Sequence, residues 1–170
     1  LNHPSGVILR SQELLSAACE ADEAFFLING TSSGIMAMIM AVCHAHDEII
    51  MPRNCHKSAI NALVLSGAKP IFIKPDYDYN LEIANQPSIE AYIKAMDENP
   101  KAKAIFVINP TYFGAVIDLR RLVVEAHSRH MIVLVDEAHG AHFGFNQYGP
   151  LSAMECKADV SAISLHKTGG

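Results

Sequence analysis

Asp118-Leu119-Arg120-Arg121-Leu122-Val123-Val124-Glu125-Ala126-His127-Ser128-Arg129-His130-Met131-Ile132-Val133-Leu134-Val135-Asp136 contains a helix, a strand and the point where the strand stops. Asp118 is a good N-cap. Leu119, Leu122, Val123 and Ala126 recur at i, i+3, i+4 and i+7, which predicts an amphipathic helix over Leu119–His130. Ile132–Val135 is apolar on consecutive positions, the pattern of a strand covered on both faces. Ala104–Ile108 upstream has the same character, so the stretch completes a strand-helix-strand unit.

The rest of the chain repeats that alternation. Further strands are expected at Ala24–Ile28, Glu48–Met51, Pro70–Ile73 and Val160–Ser164. Helices are expected at Ser11–Glu20, with Leu14, Leu15 and Ala18, at Ser33–Ala45, apolar nearly all round and so expected to be buried, at His56–Ser66 and at Ser88–Met96. Gly67 is placed to cap the third of these helices. Asp76, Asp78, Asn80 and Gly114 mark loops. Alternating strands and helices imply a three-layer α/β/α domain with a mostly parallel sheet.

Bulk properties agree with one globular domain. At 170 residues, half of them apolar, the chain can form a real core. A net charge of −5 argues against a nucleic-acid partner. Cys19, Cys43, Cys55 and Cys156 lie far apart without a Cys-x-x-Cys pair, which suggests reduced thiols and a cytoplasmic protein. No apolar stretch is long enough to span a membrane, and no signal-peptide pattern opens the chain. The first residue is Leu1, and Gly170 follows soon after Lys167, so a segment of a longer protein is expected.

In such a sheet, ligands bind beyond the carboxyl ends of the strands. Asn29–Gly34, Arg53–His56, Asn109–Tyr112, Asp136 and His166-Lys167 all come directly after expected strands. Asn29-Gly30-Thr31-Ser32-Ser33-Gly34 opens a helix with small residues and three hydroxyls, and reads either as a phosphate cradle or as a plain N-cap. It lacks the Gly-Lys-Ser/Thr ending of a nucleoside-triphosphate loop. The letters Asp136-Glu137-Ala138-His139 also occur in helicases, but that use requires the missing loop. A metal on Asp136, His139 and His142 has only generic spacing, and no metal is expected. His56 can be a surface residue at a helix start or can lie flat on a ring. A carboxylate and a lysine released at the ends of two buried strands are what pyridoxal phosphate requires: an amine for its carbonyl and a partner for its pyridinium nitrogen. Lys167 and Asp136 provide that pair.

NGTSSG (29–34), RNCHKS (53–58), LSGAKP (65–70), PTYFG (110–114), VDEAHGAHFG (135–144) and SLHKT (164–168) occur in this order. Together they resemble the major pyridoxal-phosphate-binding domain of the ornithine/lysine/arginine decarboxylases, of the aspartate-aminotransferase-like fold type I, across essentially all 170 residues. The resemblance implies Lys167 as the Schiff-base lysine, Asp136 opposite the pyridinium nitrogen, His56 on one ring face and Ala138 under the other. Gly30, Thr31, Ser32, Ser164 and His166 would hold the phosphate. The DEAHGAH form is similar to that of biosynthetic-type arginine decarboxylases, whose larger inducible relatives tend to carry an aromatic in place of His139. It places His139 beside the cofactor with its role open.

The resemblance further implies a lyase that decarboxylates arginine, lysine or ornithine, as in polyamine biosynthesis, in a homodimer or higher homo-oligomer. Residues 1–170 would form the large domain, incomplete at both ends and lacking the C-terminal domain, and would be inactive alone. A transaminase or another lyase on the same fold, or a truncated non-catalytic domain, stays open. Glu137 reads as a solvated or structural carboxylate or as a contributor to the substrate pocket.

Overall fold

The structure is a computed structural model that describes residues 3–146 and 148–169. Five strands form one parallel sheet: β1 (Glu48–Pro52), β2 (Lys69–Ile73), β5 (Ala104–Ile108), β6 (Ile132–Glu137) and β7 (Val160–Ile163), in the order β2-β1-β5-β6-β7. Two short strands, β3 (Tyr77–Asp78) and β4 (Ile83–Ala84), pair antiparallel in the region expected to be loop. Asp78 still makes the turn there, its Oδ1 accepting the N–H groups of Asn80 and Leu81.

Helices cover both faces, as the continuous apolar strands require. On one face α4 (Ile89–Glu98) and α5 (Leu119–Ser128) pack Tyr92, Met96, Leu122 and Val123 on Ile105, Val107, Val133 and Val135. On the other, α2 (Gly30–Val42) and α3 (Lys57–Ser66) pack Ile35, Ile39, Ala62 and Leu63 on Ile49, Met51, Phe106 and Leu134. Local signals set the helix ends. Asp118 accepts from the Arg121 N–H, Ser88 from that of Ala91 and His56 from that of Ser58, while Gly67 ends α3 at φ 72°.

Three expectations need correction. Ala24–Ile28 is not a strand: it is irregular and enters a turn at Ile28, Phe25 and Ile28 are 67% and 78% exposed, and among the described residues no backbone ladder forms along it. Its Ala24 carbonyl accepts from the Gln12 side chain instead. Residues of this run and of β7, an edge strand, line one groove, and no backbone hydrogen bond joins the two among the described residues. Second, α2 is not buried all round. Ile35, Met38 and Ile39 are inside and Met40 is exposed, because the helix has the sheet on one side only. Third, α1 (Gly6–Ala18) starts earlier than the apolar pattern suggests and buries only Gln12. One short helix, α6 (Leu165–Thr168), was not expected at all.

Candidate functional site

The register of β6 and β7 creates the site. Asp136 lies opposite Ala162 and Glu137 opposite Ile163, so the chain leaves both strands side by side. Asp136 is 6% exposed, and its Oδ1 accepts from the Ala138 N–H at 3.2 Å. Burial pushes its carboxyl above the ordinary range. The Ala138 N–H pulls it back, as do the nearby His56, Lys167 and His139. Lys167, in α6, places Nζ 3.2 Å from Nε2 of His139. Burial and the Lys167 charge hold that imidazole below its usual pKa, and its Nε2 is placed to accept from the Lys167 amine. His56 caps α3 at the end of β1, with Nδ1 2.8 Å from the Ser58 hydroxyl and its ring exposed.

The start of α2 is fixed to the same corner. The Thr31 hydroxyl donates to the Ile163 carbonyl at 3.1 Å, joining residues far apart in sequence at the last residue of β7. Gly30 opens the helix at φ 69°, a conformation costly for a side chain. Ser32 is exposed, whereas the Ser33 hydroxyl is used on the Gly30 carbonyl. Ser164 is buried, its hydroxyl 3.2 Å from His166 Nδ1. The structure therefore gathers Lys167, Asp136, His56, Ala138, His139, Thr31, Ser164 and His166 at one end of the sheet. Gly30 and Ser32 stand beside them on the first turn of α2.

The donor set suits pyridoxal phosphate. A buried carboxylate takes one N–H on Oδ1, and among the described residues no donor reaches Oδ2, which leaves it matched to a cationic N–H. Among the described residues no carboxylate pairs with the Lys167 amine, and a helix N-terminus with hydroxyls suits a phosphate. The Thr168 hydroxyl beside Lys167 is buried with no hydrogen-bond partner among the described residues.

Sequence reasoning singled out less of the surrounding shell. Tyr112, named only as a polar strand-end residue, stands edge-on to His139 at 5.6 Å and edge-on to Phe113. Asn109 is 1% exposed, and its Oδ1 accepts from the Ile117 N–H. Position after β5 was the available signal for both. Glu137 is 2% exposed and accepts from the Ala153 N–H at 2.8 Å, so its solvated reading gives way to the structural one.

Over residues 1–170 the chain matches the family described as Orn/Lys/Arg decarboxylase, major domain. The chain belongs to the Orn/Lys/Arg decarboxylase family. Arginine decarboxylase of Bacillus cereus is 50% identical over 170 residues, all of this chain and 37% of that protein. Arginine decarboxylase of Bacillus subtilis is 51% identical over 170 residues and is covered to 35%. The chain thus spans about a third of the length of these relatives. Among solved structures, the SepCysS–SepCysE N-terminal domain complex aligns at TM-score 0.78 and 18% identity, over 98% of this chain and 43% of that one. Serine palmitoyltransferase of Sphingomonas wittichii aligns at TM-score 0.73 and 19% identity, over 94% and 38%. These likenesses establish the fold-type-I architecture of the family domain. No helix among the described residues is long and apolar enough to cross a membrane.

Proposed function

We propose that the protein containing this chain decarboxylates arginine with pyridoxal phosphate, and that Lys167, Asp136 and His56 are its catalytic residues. The observation that carries this reading is the convergence of the Lys167 amine, a buried carboxylate and a helix N-terminus where β6 and β7 end. Half-identity to proteins named arginine decarboxylase supports arginine over the other basic amino acids.

When bound, the cofactor supplies a carbonyl for an amine and an electron sink for the carbon that loses carbon dioxide. Lys167 would hold that carbonyl, and its amine could return a proton to the substrate carbon. Asp136 would pair with the pyridinium nitrogen, and that positive charge would relieve the desolvation that raises the carboxyl's own pKa. Ala138, small and buried, would leave room for a flat ring, and the exposed His56 would stack on the opposite face. Gly30, Thr31, Ser32, Ser164 and His166 would hold the phosphate. His139 takes a hydrogen bond from Lys167 and so orients its amine beside the cofactor.

Residues 1–170 form the cofactor-binding part of the large domain in this reading. The remaining two thirds supply the rest of that domain, a C-terminal domain and the pocket for the guanidinium. A homodimer or larger assembly accounts for the apolar side chains left outside, such as Val7, Leu14 and Phe25. Four free cysteines suit a cytoplasmic location.

The test is carbon dioxide release by the full-length protein with the cofactor, offered arginine, lysine and ornithine in turn, with Lys167→Ala as the blank. Release from arginine above the other two, absent in the blank, is expected. Equal release in wild type and blank would remove Lys167 from the mechanism, and preference for lysine or ornithine would correct the substrate.

A further inference from the structure

β6 ends in two adjacent carboxylates, and strand alternation sends them to opposite faces of the sheet. Asp136 shares the α2/α3 side with Leu134, whereas Glu137 shares the α4/α5 side with Val133 and Val135. The proposed reaction uses only the first. Glu137 is nevertheless the more enclosed, at 2% exposure, and a carboxyl so placed needs a reason.

Its contacts supply one. Glu137 Oε1 accepts from the N–H of Ala153, sixteen residues further on, at 2.8 Å. That bond ties the returning end of the loop after β6 to the strand. The Glu137 carbonyl accepts from the Gly140 N–H at 2.9 Å, closing a turn that contains Ala138 and His139. The Glu137 side chain also backs this turn. A Cβ on Gly140 would lie 2.7 Å from Glu137 Cγ, 2.9 Å from Pro110 Cδ and 3.0 Å from Phe143 Cδ2, so nothing larger than glycine fits there. The same turn presents the Ala138 N–H to Asp136 and carries His139 to Lys167.

We propose that Glu137 is a positioning residue of the proposed active site: its carboxyl, bonded to Ala153 and packed on Gly140, fixes the turn that orients Asp136 and presents His139 to Lys167. Burial, together with the nearby Glu155 charge, favours the neutral form of Glu137, and an amide oxygen can accept the same N–H. Acceptance from Ala153 is therefore the property that matters.

The inference rests on the cofactor reading, and the experiment separates the two. Glu137→Met, which keeps the volume and removes the acceptor, and Glu137→Gln, which keeps both, are made in the full-length protein. Each is measured for pyridoxal phosphate Kd, for the pH midpoint of the visible absorbance of cofactor held on Lys167, and for Tm. Stranding the buried Ala153 N–H and loosening the turn should raise Kd about tenfold in Glu137→Met and displace the midpoint, with Glu137→Gln within about twofold of wild type. A purely structural Glu137 would lower Tm in Glu137→Met and leave Kd and midpoint unchanged, which overturns the proposal. Equal damage in both variants would overturn it as well, since the acceptor would then not be what counts. If Glu137→Met does not fold, Glu137→Ser decides by the same two readouts. A wild-type protein without the visible band sinks the cofactor reading and this inference together, whereas a band indifferent to Glu137 sinks this inference alone.

Discussion

Ile132–Val135 and Ala24–Ile28 are both short apolar runs, yet one is a strand inside the sheet and the other is irregular and largely exposed. β6 has β5 on one side and β7 on the other, and Val133, Leu134 and Val135 are fully buried. The earlier run meets no strand, and Ile28 is 78% exposed. Hydrophobicity makes a strand possible; a neighbour with free N–H and C=O groups makes it one. The contrast extends to chemistry. The run that pairs delivers two carboxylates to defined places, and the run that does not leads into the exposed residues before α2.

The largest expected effect lies at the polar end of β6. Asp136→Ala in the full-length protein should lower kcat by about 10²–10³-fold or more, since removing one partner of a buried ion pair costs about 3–5 kcal/mol. Asp136→Glu should keep part of the rate. Steady-state decarboxylation decides, and unchanged kcat in Asp136→Ala would separate the strand's position from the chemistry assigned to it.

Truncation within the two apolar runs should have the next largest effect, and an unequal one. Leu134→Ala should destabilise the 170-residue chain by about 2–5 kcal/mol, whereas Ile28→Ala should change stability by about 0.5 kcal/mol or less. Urea unfolding measures both. Repeating the pair in the full-length protein sharpens the point, because a cost at Ile28 approaching that at Leu134 would mean that another part of the polypeptide covers the run.

Glu137 gives a smaller, pH-dependent effect. Its carboxyl is raised from an ordinary 4.5 to about 8 by burial, so the folded chain holds a proton that the unfolded chain releases. That contribution is fully present below about 4.5, falls as pH rises and is gone above about 8. Glu137→Gln cannot titrate. Its Tm relative to wild type should therefore climb between those limits and then level off, as thermal melts across the range would show.

The smallest effect is local to α5, the helix that feeds β6. Asp118→Ala removes the acceptor for the Arg121 N–H and should cost about 1 kcal/mol. A loss no larger than that seen at Ile28 would show that packing alone sets the start of this helix.

Legibility in the sequence tracked the range of the interaction. Asp118, Ser88 and Gly67 act within a turn of their own positions, and the helices they bound were readable, as were the five strands whose apolar runs are continuous. α6 is too short to show a period, and the β3–β4 pair reads only as turn residues. At the proposed site, Lys167, Asp136 and His56 could be singled out because each follows an expected strand in a recognisable motif, although β6 runs on through Asp136 to Glu137. The contacts of Tyr112 with His139 and of Glu137 with Ala153 join separate segments, and nothing in the local sequence announces them.

Periodicity, caps and motif order, all carried by neighbours along the chain, were enough to determine the α/β class and the family likeness. Tertiary structure decided which apolar runs pair, which way the adjacent Asp136 and Glu137 face, and that Thr31 meets the end of β7. Those outcomes depend on hydrogen-bonding partners and on burial supplied by residues distant in sequence, and a linear pattern does not encode who the partner is.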